Sequence, residues 1–185
     1  MRITGKEGLA ALLLFSVVML AAQPSGLWLD VPFIKQEKDG CGAASIAMVI
    51  AYWQRQSASD AKDPDANAIQ QVLYSPEAHG IYASAMERYF QQQGYKTFAF
   101  AGTWDDLRQH LEKGRPLIAA LKPSPRDSEL HYVVVVGIDP AQDVVLLNDA
   151  ARRKLLKEDR KAFDREWSAT KRWTLLALPQ PQQQR

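Results

Sequence analysis

The sequence contains a single cysteine, Cys41, in 185 residues. One cysteine excludes a disulfide within the chain and a zinc site built from several thiolates. The three histidines, His79, His110 and His131, also lack the helical spacing of metal ligands, so we expect no metal. In an exported protein, an unpaired cysteine indicates either a bridge to another chain or a functional thiol.

An excess of charge of one sign is also missing. The chain has 23 basic and 21 acidic residues and a net charge of +2. Its densest basic cluster, 152–154, is followed at 157–160 by acidic and basic residues together, a pattern typical of a solvated surface. We therefore expect no nucleic-acid partner. The phosphate-binding pattern G-x-x-x-x-G-K-[ST] is absent as well, and we predict no ATP site and no cofactor.

Long apolar runs are scarce, and the one present lies near the N-terminus. Residues 9–22 are apolar apart from Ser16 and follow the basic residues Arg2 and Lys6. Fourteen residues are short for a membrane span but fit the hydrophobic region of a signal peptide. We predict a signal peptide at 1–22 and an exported protein, periplasmic or extracellular. The alternative is an uncleaved anchor, which would give the protein its membrane contact.

The rest of the chain is long and apolar enough for one globular domain, predicted at 27–178, followed by a disordered tail at 179–185. Helical patterns come first and strand patterns later, which predicts an α+β fold with an antiparallel sheet. Expected helices are 41–54, 67–74, 82–94 and 103–112, with a polar helical stretch around Phe163 and Trp167; expected strands are 95–102, 116–122, 130–138, 143–149 and 173–179.

The cysteine stands where a helix is predicted to begin, in "DGCGAASIAMVIAYW" (39–53). Apolar residues cover nearly every face of this helix, which predicts that it is buried. The positive end of a helix dipole favours a thiolate, the nucleophilic form of cysteine. We expect Gly40 and Gly42 to let a substrate backbone approach the sulfur. The alternative is that Cys41 is only a small buried hydrophobic residue.

A nucleophilic cysteine needs a base, and His131 begins an apolar strand where its ring would lie at the rim of the sheet. If the following hairpin is centred on Pro140, opposed residues have numbers that sum to 280, and Asp149 faces His131 directly. A slip of one residue would send the two side chains to opposite faces. Asp149 is therefore the predicted orienting group. His79 and His110 are interpreted as loop and helix-surface residues.

Gln36 lies five residues before the cysteine, on a polar segment that leads into the helix. A side-chain amide can donate a hydrogen bond to a developing oxyanion together with the backbone N–H of Cys41. The neighbouring Glu37 and Asp39 cannot do so, because ionised carboxylates only accept. Gln36 thus completes the candidate catalytic set Cys41, His131, Asp149 and Gln36.

These blocks resemble the C39 family of papain-like cysteine peptidases, the type that processes bacteriocin leaders. The resemblance is carried by "VPFIKQEKDGCGAASIAMVIAYW", "HYVVVVGID", "VVLLNDA" and "FDREW". It implies a papain-like fold and assigns nucleophile, base, orienting acid and oxyanion amide to the same four residues. A peptide substrate such as a leader peptide and a partner transporter are further implications. Ala150 replaces the proline that family members often carry after the aspartate.

The sequence therefore predicts an exported, cofactor-free cysteine endopeptidase. Two alternatives stay open. One is a transglutaminase-like acyltransferase that uses the same residues, and the other is a peptide-binding module without turnover.

Overall fold

Helices in the first half of the chain and strands in the second give the predicted α+β arrangement. The structure is a computed structural model and describes residues 26–57, 62–123 and 130–180. The expected signal peptide lies outside these ranges, as do residues 181–185 of the expected tail. The elements are β1 Leu27–Trp28, α1 Cys41–Gln56, α2 Ala66–Leu73, a 3-10 turn Pro76–Ala78, α3 Ala83–Gln92, β2 Tyr95–Ala101, α4 Trp104–Glu112, β3 Leu117–Leu121, β4 His131–Asp139, β5 Val144–Asp149, β6 Arg153–Asp159, α5 Arg160–Ser168 and β7 Trp173–Pro179.

One antiparallel sheet organises the fold, with strand order β2-β7-β3-β4-β5-β6 and with β1 paired to the end of β4. Helices α1 to α3 pack on one face, which the even-numbered residues of β4 such as Val134 cover. Helices α4 and α5 pack on the other face against the odd-numbered Val133 and Val135. Successive side chains of a strand point to opposite faces, and both faces of this sheet are covered. The interior residues of β4 are therefore buried on both faces. His131, at the start of β4, therefore lies at the rim of a sheet covered on both faces.

Helix α1 is buried along almost its whole length, as its apolar composition predicts. Every residue from Gly42 to Tyr52 is buried, and the helix contacts β4, α2 and α3. Two aromatic side chains anchor its far end: Tyr52 donates to the carbonyl of Gly114, and the Trp53 indole donates to that of Ala177. This packing fixes the position of the helix start, where Cys41 lies.

Most other elements agree with the sequence-based predictions within one or two residues. The capping box predicted for α4 is present: Thr103 and Asp106 each bond the backbone N–H of the other. Strands β1 and β6 were not predicted. In β6 only Leu156 is buried, and charged residues occupy most other positions. A charged edge strand resists pairing with other chains but lacks the apolar alternation by which strands are recognised.

Within the described ranges, no helix has the length and hydrophobicity needed to cross a bilayer. The N-terminal apolar run is not among the residues searched.

Candidate active site

Cys41 is the first residue of α1, and its thiol is free and partly exposed. Its Sγ lies 3.9 Å from the carbonyl oxygen of Leu130, the residue that precedes β4. The first backbone N–H groups of a helix have no intrahelical partners and carry the positive end of the dipole. The structure therefore places the sulfur between the start of a helix and the start of a strand.

The glycines that flank Cys41 have a different role from the one expected. Both are buried. A Cβ on Gly42 would lie 3.1 Å from Cβ of Ile81, and one on Gly40 would lie 3.1 Å from the carbonyl oxygen of Glu37. The expectation that they open space for a substrate is wrong, because the protein's own atoms occupy that space. They allow neighbouring segments to pack against the helix start.

His131 and Asp149 are in direct contact, with 3.0 Å between Nε2 and Oδ1. The Asp149 side chain is 5% exposed and that of His131 23%. Asp149 also accepts a hydrogen bond from the backbone N–H of Ala151. Because Asp149 occupies Nε2, Nδ1 is the ring nitrogen left to face the thiol. Asp149 thus fixes the orientation of the imidazole, as the sequence-based hypothesis requires.

The register that brings the two residues together differs from the predicted one. Residue numbers across β4 and β5 sum to 283 next to the turn and to 282 beyond a bulge between Val135 and Gly137. The predicted sum of 280 is therefore wrong, and Asp149 lies diagonally from His131 rather than opposite it. Without the bulge, the sum of 283 would continue and would place the two side chains on opposite faces. The extra residue, Val136, restores a shared face.

The electrostatic surroundings stabilise a protonated His131. Burial lowers its pKa, but hydrogen bonds to Asp149 and Cys41 and the charges of both outweigh this effect and raise the pKa to about 10. For Asp149, burial acts to raise the pKa, but the hydrogen bond and positive charge of His131 lower it overall. These two shifts both favour an imidazolium at His131 paired with a carboxylate at Asp149.

Gln36 lines the same cleft, which has a volume of about 240 Å³. Its backbone N–H donates to the carbonyl of Ala150, directly after Asp149, which ties the segment before α1 to the end of β5. Its Oε1 is buried and accepts no hydrogen bond from the described residues. Gln36 therefore lies at the cleft that Cys41 and His131 also line.

Four residues that line the cleft were not identified as site residues from the sequence: Asp39, His79, Pro123 and Leu130. Asp39 and His79 both line the cleft and both have positive φ angles, 56° and 45°. His79 lies in a loop as expected, but the loop borders Cys41. Backbone strain of this kind often accompanies functional sites. Only tertiary structure brings residues 79 and 41 to the same cleft, so no sequence signal could have revealed that His79 lines it.

His110 occupies a different part of the molecule, on α4, where its ring packs near Phe100. Among the described residues, no three His, Cys, Asp or Glu side chains converge as metal ligands would.

Comparisons with known proteins identify the family and the fold. Residues 28–175 match the model of the Peptidase_C39 like family. A search of curated proteins gave no match. A putative C39-like peptidase from Bacillus anthracis is 18% identical, with a TM-score of 0.62, over 85% of this chain and 100% of that one.

Two further solved structures are peptidase domains of transporters. The peptidase domain of Streptococcus ComA, a bi-functional ABC transporter of a quorum-sensing pathway, is 17% identical, with a TM-score of 0.61, over 80% of this chain and 98% of that one. A double-glycine-motif protease of an AMS/PCAT transporter, solved with its leader peptide, is 21% identical, with a TM-score of 0.60, over 85% and 100%. The fold is thus that of the C39 peptidases, and the chain belongs to the Peptidase_C39 like family of cysteine peptidases.

Proposed function

We propose that this protein is an endopeptidase in which Cys41 is the nucleophile, His131 the acid and base, Asp149 the orienting group and Gln36 an oxyanion donor. One observation carries the proposal: the thiol at a helix start shares a cleft with an imidazole that is paired to a carboxylate at 3.0 Å. A nucleophile, a base and a group that orients the base are what covalent catalysis by cysteine needs.

In acylation, the Cys41 thiolate attacks the carbonyl carbon of the scissile bond. The oxygen that becomes negative accepts hydrogen bonds from the Gln36 amide and from the backbone N–H of Cys41. His131 gives the Nδ1 proton to the leaving amine as the C–N bond breaks. The segment with the new N-terminus departs, and the other segment stays on sulfur as a thioester.

Deacylation follows from the same charges. Acylation removes the negative charge of Cys41, one of the causes that raise the pKa of His131. The imidazole, neutral after giving up its proton, can then accept one from water. The water attacks the thioester, the C–S bond breaks and a carboxylic acid leaves. The thiolate and the imidazolium are restored.

For the substrate, we propose a peptide, with a leader peptide as the first type to test. The support is the structural similarity to a transporter protease solved with its leader peptide. A separate transporter is the corresponding partner. We further propose an exported protein in which residues 1–22 act as a signal peptide or anchor, on the evidence of their apolar run after basic residues. N-terminal sequencing of protein recovered from the cell envelope or medium tests this: a start near Gln23 supports a cleaved signal, whereas Met1 on a membrane-bound form supports an anchor.

The direct test is cleavage of a proteome-derived peptide library by the parent protein and by Cys41→Ala. New peptide termini should appear with the parent and be absent with the variant. Cleavage by Cys41→Ala at the parental rate would refute the mechanism.

The same assay separates the two alternatives. With an added primary amine, an acyltransferase would yield mainly amide adducts, whereas a hydrolase yields free acids. A binding module without turnover would retain peptides but release no new termini. Labelling by iodoacetamide adds a further distinction: a Cys41 that reacts below neutral pH indicates an enzyme, and an inert thiol indicates a binding module.

A further inference from the structure

A second cavity lies beside the His131–Asp149 pair. Its volume is about 300 Å³, and both residues of the pair line it, whereas Cys41 does not. His131 and Pro123 also line the catalytic cleft. The two spaces are therefore neighbours that share these two residues as lining, which makes the second one a candidate site for part of a peptide bound across Cys41.

The walls of this cavity combine apolar side chains with charge. Leu121, Leu147 and Leu156 supply apolar surface. Glu158 and Glu166 supply carboxylates, and Arg152 supplies a guanidinium that pairs with Glu158. Such a mixture suits a long side chain with an aliphatic stem and a charged end.

Only one carboxylate of the cavity lacks a partner. Asp149 is engaged by His131, and Glu158 forms an ion pair with Arg152 at 3.4 Å. The Glu166 carboxylate makes no hydrogen bond or ion pair with any described residue, although its side chain is partly buried on α5. Burial and then the charge of Glu158 raise its pKa. The charges of Arg165, His131 and Arg152 oppose this increase without outweighing it. Glu166 is thus a partly desolvated acid that no described residue pairs directly.

We propose that this cavity binds a lysine or arginine side chain of the substrate and that Glu166 determines this specificity. The inference rests on the proposed peptidase function. A cation at this place would form a charge-assisted hydrogen bond with Glu166, while its stem would cover the leucines. The free carboxylate, the apolar walls and the continuity with the cleft together favour a basic side chain over an acidic or a short polar one.

The position of the cavity also indicates which part of the substrate enters it. His131 protonates the leaving amine, so the residues after the scissile bond pass beside the imidazole. The cavity is lined by His131 and not by Cys41. The basic residue should therefore stand among the first three positions after the cleaved bond.

The experiment is cleavage of a proteome-derived peptide library by the parent, Glu166→Gln and Asp164→Asn. The Asp164 variant is the matched control, because it removes a charge of the same sign from α5 at an exposed pair with Arg172. Lysine and arginine should be enriched after the cut with the parent and with Asp164→Asn. The enrichment should disappear with Glu166→Gln.

A pair of synthetic peptides then gives the magnitude. They share the best cleaved sequence and carry lysine or norleucine at the enriched position. We expect the parent to prefer lysine on the order of tenfold in kcat/KM, as a charge-assisted hydrogen bond allows. Glu166→Gln should cleave both peptides alike, whereas Asp164→Asn should keep both the parental preference and the parental rate on the norleucine peptide. The inference is overturned if the parent cleaves the library without enrichment of lysine and arginine after the cut. It is also overturned if the enrichment persists in Glu166→Gln. In both cases the peptidase function is unaffected.

If the parent cleaves no peptide, retention of the library peptides by the Cys41→Ala protein is measured instead. Basic peptides retained by Cys41→Ala and released by Cys41→Ala/Glu166→Gln would support the cavity and refute the peptidase. No selective retention would overturn both.

Discussion

The segment that carries Gln36 and Cys41 and the hairpin that carries His131 and Asp149 are positioned by different interactions. Around Cys41, buried apolar residues of α1 and two glycines in tight contact set the position. In the hairpin, a bulge sets the shared face, and an ion pair sets the final geometry. Added volume should therefore disrupt the segment that carries Gln36 and Cys41 (the helix half). A change of charge should disrupt the hairpin that carries His131 and Asp149 (the hairpin half).

The largest loss of activity is expected from removing His131, which interacts with both Asp149 and Cys41. His131→Ala should lower kcat almost as far as Cys41→Ala, because it removes both the partner of the thiolate and the acid for the leaving amine. The double variant should be no worse than either single one, since the residues act as a unit. Initial rates on one cleaved peptide measure this. Full additivity of the two losses would show that the halves work independently.

The next largest loss of activity is expected from removing the proposed oxyanion donor Gln36. Gln36→Ala removes one of two donors, and we expect kcat to fall on the order of 10²–10³. Gln36→Glu keeps the size but replaces the donor by an acceptor, so its loss should be at least as large. A Gln36→Glu enzyme as active as the parent would exclude hydrogen-bond donation by this side chain.

A larger side chain at the start of α1 tests whether tight packing sets the position of Cys41. Gly42→Val should destabilise the fold by about 1–3 kcal/mol through overpacking against Ile81. The control is Gly80→Ala, whose added Cβ would meet nothing closer than 3.8 Å. Thermal unfolding should show a lower Tm for Gly42→Val and little change for the control. Equal Tm values for Gly42→Val and the parent would contradict the tight packing inferred here.

Charge in the hairpin should have the smallest effect on rate and a distinct effect on pH dependence. Asp149→Asn removes the carboxylate, but the thiolate still holds the imidazolium, so kcat should fall less than in Gln36→Ala. Since protonated His131 is the active acid and its pKa is raised to about 10, parental activity should fall only near that pH. In Asp149→Asn the pKa of His131 decreases, so this alkaline limb should move to lower pH. An unmoved limb would show that Asp149 does not stabilise the imidazolium.

The sequence predicted features set by local pattern and missed those set by tertiary context. Helix α1 and the strands on either side of Pro140 follow from hydrophobic periodicity. The pairing of His131 with Asp149 was predicted, but its register was wrong, because the bulge between Val135 and Gly137 was not anticipated. The glycine inside the strand is the one signal that could have indicated it. The approach of His79 to Cys41 depends on how distant segments pack. Strand β6, which carries Glu158, was not predicted, because its charged residues leave no apolar alternation.

In the proposed mechanism, a thiolate at Cys41 and an imidazolium at His131 form the pair that joins the two halves. NMR titration of the His131 ring tests it most directly, in the parent, Cys41→Ala and Asp149→Asn. Burial lowers the pKa of this ring, and contacts with Asp149 and Cys41 raise it to about 10. We predict a parental pKa near that value and a lower one in each variant. A parental pKa near the usual 6.5, unchanged by Cys41→Ala, would contradict the account.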